Sequence, residues 1–128
     1  MTSIKVGVAS YEAIKERTLA IARGEHVPGP DDPTVWFTSA ESMAKVLSDR
    51  NRALLRLIAE TSPQSIDELA KTSGRAKSNL SRTLKTMARY GFVSLHKGTR
   101  GRVAPVVEVD RIRVEFDLTA ATGPQHAG

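Results

Sequence analysis

The chain has 128 residues, 40% of them hydrophobic, with 19 Lys or Arg against 14 Asp or Glu and no cysteine. That length fits one ordinary domain able to bury a core without disulfides and leaves no room for a two-domain enzyme, and the missing thiols exclude a thiolate nucleophile and every cysteine-based metal site. Apolar runs of four residues at most exclude a membrane-spanning helix, and the amino terminus has no secretion-signal pattern, so a cytoplasmic protein is expected.

Ile4, Val6 and Val8 alternate, which predicts a short edge strand. Ser10 is placed to cap a helix whose apolar positions are Tyr11, Ile14, Leu19, Ile21 and Ala22. The stretch GEHVPGPDDP, Gly24 to Pro33, reads as a loop because its prolines and glycines leave neither ladder nor helix intact. Residues 1–33 are thus expected to form an extension used for packing or dimerisation. Thr34 to Phe37 adds a short strand. Thr38 with Glu41 makes a capping box for a helix lined by Met43, Ala44, Val46 and Leu47. Asp49 is placed to cap the next helix, in which Leu54, Leu55, Leu57 and Ile58 form a stripe ending before Ser62-Pro63.

Ser65 with Glu68 is a second capping box, opening a short helix that carries Ile66, Leu69 and Ala70. A turn from Thr72 to Arg75, centred on Gly74, leads to a helix from about Ala76 to Tyr90. Its inward positions are Leu80, Leu84, Met87 and Ala88, and Gly91 takes the left-handed position after it. The periodicity then switches to two. Phe92–His96 and Val103–Val107 read as hairpin strands around the turn KGTRGR, with Pro105 implying an edge or a break. Ile112, Val114, Phe116 and Leu118 alternate with Arg111, Arg113, Glu115 and Asp117 as in a half-buried strand. Residues 119–128 have little to pack with and are expected to form a flexible tail.

A short capped helix, a glycine turn, a longer helix and a basic hairpin describe an α+β fold: a winged helix-turn-helix over residues 34–118, with an N-terminal helical extension and a C-terminal β-strand. In a twenty-residue helix-turn-helix counted from Ile66, Ala70 falls where the two helices touch, Gly74 where positive φ is favoured, and Leu80 where a side chain packs back on the core. Thr83 stands where an aliphatic residue is more usual, and Leu84 is placed to fill that space.

Charge follows the same division. Between Leu69 and Val107 there are nine Lys or Arg and no Asp or Glu, whereas the rest of the chain carries ten basic and fourteen acidic residues. An acid-free basic module on an acidic body is the pattern of a face that meets a polyanion. On the longer helix, Lys77, Ser78, Asn79 and Arg82 are the expected groove-facing set, beside Ser81, because Arg and Lys bind guanine edges or phosphates and Asn can pair bidentately with adenine. Arg75, Lys85 and Arg89 are expected mainly on the DNA backbone. At the hairpin tip, Lys97, Thr99, Arg100 and Arg102 surround two glycines that let the tip approach a phosphate backbone or enter a minor groove; an exposed, bland surface turn is the alternative.

Other residues carry weaker readings. Arg50, Arg52 and Arg56 fit either a solvated helix face or a helix crossing the DNA backbone. His96 fits a strand or wing residue, and Trp36 with Phe37 fits core or dimer packing before a small-molecule pocket. Asp31 with Asp32 is expected to have no nearby histidine or third acid, Ser39, Ser42 and Ser48 have no visible base, and KGTRGR lacks the spacing of a phosphate loop. No catalytic set, metal site or cofactor is expected, and hence no enzyme.

From Trp36 to Leu118, through RNRALLRLIAE, SIDELAKTSGRAKSNLSRTLKTMARYGFVSL, GTRGRVAP and RIRVEFDL, the chain resembles the MarR- and ArsR-like winged-helix transcriptional regulators of prokaryotes. It looks more particularly like a small family of predicted transcriptional regulators from bacteria and haloarchaea. The resemblance implies a recognition helix starting near Ala76 and a wing over Lys97–Arg102, and so a sequence-specific, double-stranded-DNA-binding regulator, a dimeric repressor. It also admits an antitoxin-like autoregulator that binds a toxin-like protein partner. The chain lacks the long C-terminal dimerisation helix of MarR proteins and the cysteines of many ArsR metal sensors, so their ligand chemistry does not transfer.

Overall fold

The computed structural model describes residues 2–118, and the tail expected over 119–128 lies outside them. The described chain forms two compact units, one built from residue 2 with residues 45–110 and the other from residues 3–44 with residues 111–118.

The second of these is organised by β1 (Ser3–Val8), which lies in the middle of a parallel sheet between β2 (Val35–Phe37) and β5 (Arg111–Phe116). The expectation of an edge strand is therefore corrected. Both neighbours come from distant segments, and alternation within one strand says nothing about what pairs on either side. Parallel pairing of β1 with β2 requires a crossover, which α1 (Tyr11–Ala22) supplies. Ser10 caps α1, its hydroxyl accepting from the Ala13 N–H at 3.1 Å.

In register, Val6 lies beside Val35 and Val114, and Val8 beside Phe37 and Phe116, so these side chains share one face. On the opposite face Trp36 lies over Gly7. A Cβ at Gly7 would sit 2.4 Å from the Trp36 ring. The Arg17 guanidinium stacks on the same ring at 5.3 Å and binds Asp32 at 3.1 Å. His26 Nε2 lies 3.5 Å from the Asp32 carboxylate, which corrects the expectation of no nearby histidine, because the Pro/Gly loop folds back on itself. Asp32 accepts from the Gly29 N–H, and this bond, then Arg17 and His26, outweighs desolvation to hold its carboxyl below the ordinary aspartate value. Gly7→Val is expected to displace Trp36, destabilising the protein by about 1–3 kcal/mol. Because Trp36 is the chain's one tryptophan, a red-shifted emission with an earlier melt would show it; an unchanged spectrum would contradict it.

α2 (Ala40–Val46) leaves the sheet unit, to which residues 40–44 belong, and α3 (Asp49–Thr61) and α4 (Ile66–Ser73) open the other. Two caps are corrected by one residue. Ser39, not Thr38, receives the Ser42 N–H, and Ser48, not Asp49, receives the Asn51 N–H. A cap needs extended backbone before the first helical residue, which Ser48 has at ψ 161°, while Asp49 already lies inside α3 and bonds Arg52. Ser65 caps α4 through the Glu68 N–H at 3.0 Å, but the Glu68 carboxylate accepts from the Gln64 N–H instead of closing the box on Ser65.

Gly74 ends α4 at φ 74° and α5 (Lys77–Arg89) follows. The chain then turns through Gly91, at φ 83°, into the antiparallel pair β3 (Val93–Lys97) and β4 (Val103–Val107). This is a winged helix-turn-helix. Leu54 and Ile58 of α3, Leu69 of α4, Leu80, Leu84 and Met87 of α5, with Phe92 and Val93, are each at most 3% exposed and make its core. Pro105 is buried opposite Leu95 in a two-stranded sheet, where its missing N–H interrupts no ladder beyond the pair.

Candidate nucleic-acid interface

The core sets the orientation of α5. With Leu80, Leu84 and Met87 turned inward, Ser78, Arg82, Lys85 and Arg89 recur at i, i+4, i+7 and i+11 on the outward side, and all four are exposed. Lys77 and Ser81 lie on one flank of that stripe, Asn79 and Thr83 on the other. The sequence-derived set therefore separates into an exposed cationic ridge and two shoulders.

Lys77 does not stand clear of acid. Its Nζ lies 2.9 Å from Asp67 of α4, so the absence of carboxylates along the sequence of α5 is not their absence in space. Both side chains are more than half exposed, and such a pair adds little stability while offsetting part of the lysine's charge.

Asn79 and Arg75 are bound to each other. Arg75 Nε and Nη2 donate to Asn79 Oδ1 at 2.9 and 2.7 Å, Nη2 also to Thr83 Oγ1 at 3.3 Å, and Nη1 to Asn51 Oδ1 of α3 at 3.2 Å. The guanidinium thus ties the turn and α5 to α3, and burial, followed by the charge of Arg50, lowers its pKa from the ordinary value. Thr83, the residue out of place in the sequence count, receives one of these bonds, while the adjoining Leu84 is fully buried. Sequence reasoning missed this network; its traces were Thr83 itself and the spacing of Arg75, Asn79 and Thr83 at i, i+4 and i+8.

The helix amino terminus faces outward without a side-chain cap. Ala76 occupies the N-cap position and makes no side-chain bond, which leaves the first-turn N–H groups available to an anion. Arg50, Arg52 and Arg56 of α3 border a groove with Thr72, Ser73, Gly74 and Arg75, so the α3 arginines adjoin the turn leading into α5.

At the wing tip, Thr99–Gly101 forms a single 3₁₀ turn closed by the Gly98 N–H to Arg102 O at 2.8 Å and the Arg102 N–H to Thr99 O at 3.2 Å. The sequence predicts two glycines shaping this tip. Only Gly101 takes positive φ, at 71°; Gly98 does not, and Arg100 takes the second left-handed position at φ 59°. An arginine there bears a backbone cost that a glycine would avoid. Lys97, Thr99, Arg100 and Arg102 are all exposed. His96 bonds Ser94, which also donates to Glu108, so it belongs to the outer surface of the wing strands.

The family model HVO_A0114 matches residues 46–114, which takes in α3 to α5, the wing and most of β5. The chain belongs to the HVO_A0114 family. This family member is also similar to the structure reported as the crystal structure of the predicted DNA-binding transcriptional regulator from E. coli, at 18% identity and a TM-score of 0.45, over 74% of this chain and 84% of that one. No curated protein matches it by sequence. Among the described residues of this HVO_A0114 protein, no group of three or more His, Cys, Asp or Glu is placed to hold a metal, and no helix is long and apolar enough to cross a membrane.

Proposed function

We propose that this protein is a sequence-specific, double-stranded-DNA-binding transcriptional regulator of the cytoplasm, a repressor of the MarR- and ArsR-like kind acting as a homodimer. The observation that carries the reading is the exposed stripe Ser78, Arg82, Lys85 and Arg89 on the helix that leads directly into a wing tipped by Arg100 and Arg102. A helix of this width enters a B-DNA major groove, and a hairpin beside it meets the flanking backbone or minor groove. Dimerisation doubles a contact that is small for one module, and it matches a palindromic operator.

Within that reading the residues divide by task. Arg82 and Ser78 take base edges; Lys85, Arg89, Lys97, Thr99, Arg100 and Arg102 take phosphates, with Ser81 and Lys77 at the margin. Asn79 leaves the base-reading set, because a bidentate contact to adenine needs the Oδ1 that Arg75 already occupies. Its work, with Arg75, is to hold the amino terminus of α5 against α3.

Competition between an operator and a scrambled duplex at matched salt tests the division. Arg82→Ala is expected to lose roughly 1–3 kcal/mol of preference for the operator. Asn79→Ala is expected to lower the melting temperature and weaken both duplexes alike. Loss of preference in Asn79→Ala, with Arg82→Ala unchanged, would reverse the assignment. A small protein copurifying stably with the chain would favour the antitoxin reading instead.

A further inference from the structure

The sheet β2-β1-β5 ends, among its described strands, at the outer edge of β5. Its apolar face becomes more exposed toward that edge. Val6 and Val8 of β1 are buried, but Val114 and Phe116, beside them in register, are 48% and 49% exposed. An open edge with half-exposed apolar side chains invites another strand, and the sequence of β5 states which one fits.

Read along the strand, Arg111, Arg113 and Glu115 project to one side and Ile112, Val114 and Phe116 to the other, with Asp117 next in the alternation just past the strand's end. The positive charges precede Val114 and the negative charges follow it at the same distances. Run antiparallel to itself about Val114, the segment therefore places Arg113 opposite Glu115 and Arg111 opposite Asp117, each twice. On the other face Ile112 meets Phe116 twice and Val114 meets Val114. We propose that two copies of this chain join edge to edge through β5, antiparallel and centred on Val114, forming a continuous six-stranded sheet. This interface gives a place to the homodimer of the functional reading above and rests on it.

Neighbouring registers are disfavoured by the same residues. A shift of two positions one way sets Arg113 against Arg113, and the other way Glu115 against Glu115, and like charges directly opposite one another oppose pairing. A shift of one position puts arginine against valine and moves the apolar row to the wrong face. Parallel pairing of the two identical edges gives no closed two-fold arrangement, whereas antiparallel pairing makes each surface its own complement. Lys5 of β1, 3.9 Å from Glu115, adds a cation beside the Arg113–Glu115 pairs without occupying the outer edge of the strand.

Charge reversal in the full-length chain tests the register. Arg113→Glu and Glu115→Arg each turn two opposite-charge pairs into like-charge pairs, and each is expected to raise the dimer dissociation constant roughly tenfold or more in sedimentation. R113E/E115R restores the complementarity and is expected to return the dimer. The single variants mixed together are also expected to recover association. Val114→Cys, in a chain with no other thiol, should cross-link to its copy under mild oxidation much faster than Lys15→Cys on the exposed side of α1. If a single variant fails to fold, the double variant and the cross-link decide. A wild-type dimer that ignores both reversals, a double variant as dissociated as the singles, or no excess cross-linking at Val114 overturns this interface while leaving a dimeric regulator in place. A wild-type chain monomeric both free and on DNA overturns the dimeric reading, and this interface with it.

Discussion

Raising monovalent salt from about 50 to about 200 mM is expected to weaken binding of the dimer to a duplex by roughly 10⁵-fold. The magnitude follows from the cations that the fold leaves outward. Lys85 and Arg89 on α5, with Lys97, Arg100 and Arg102 on the wing, are exposed, and each phosphate neutralised releases a counterion from the DNA. Five such contacts in each protomer, ten in the dimer, give a slope of log affinity against log salt near −9, at about −0.9 per contact. Lys77 adds less, since Asp67 already lies beside it, and Arg75 adds less because its guanidinium is spent on Asn79, Asn51 and Thr83. Fluorescence titrations at four or five ionic strengths measure the slope. A value near zero would mean that the basic ridge does not meet phosphate.

Leu84→Ala is expected to destabilise the winged unit by about 2–5 kcal/mol, a large fraction of the stability of an ordinary domain. Leu84 is fully buried in a core whose other members come from α3, α4 and the strand after α5, so truncation leaves a cavity that rigid neighbours fill only in part. Lys97→Ala, on the exposed end of β3, is expected to stay within about 0.5 kcal/mol of wild type. Urea melts of the two variants compare them directly. Coincident curves would contradict the inward assignment of Leu84 and with it the orientation of α5 that turns Arg82 outward.

The winged unit was legible because its determinants are local. Gly74 and Gly91 mark the turns that need positive φ, Leu80, Leu84 and Met87 repeat with the helical period, and the change from that period to alternation marks the start of β3. The parallel sheet was not legible. Ser3–Val8, Val35–Phe37 and Arg111–Phe116 each read as a strand, but their pairing joins segments about thirty and about a hundred residues apart, and nothing within one strand specifies a parallel neighbour. Gly7 illustrates the difference: in sequence it is a gap in an alternation, and in the fold it is the space that Trp36 fills.

In the site, charge and exposure could be read from composition and period, whereas the partners of individual side chains could not. The Arg75–Asn79 pair required the bend between α4 and α5 to be set before the guanidinium had a direction. Lys77 met Asp67 across the same bend. Both cases give a residue a partner without changing its place on the helix, and the task proposed for Asn79 rests on that partner rather than on the helical period.

Sequence selection from a random duplex pool by the full-length chain, with Arg82→Ala in parallel, tests the central claim most directly. The expected result is enrichment by the wild-type protein of one motif, as two related half-sites about one helical turn apart, roughly 34 Å, with the base preference relaxed in Arg82→Ala. Weak, unselective binding by the wild-type chain even at low salt, or a motif that survives unchanged in Arg82→Ala, would contradict it.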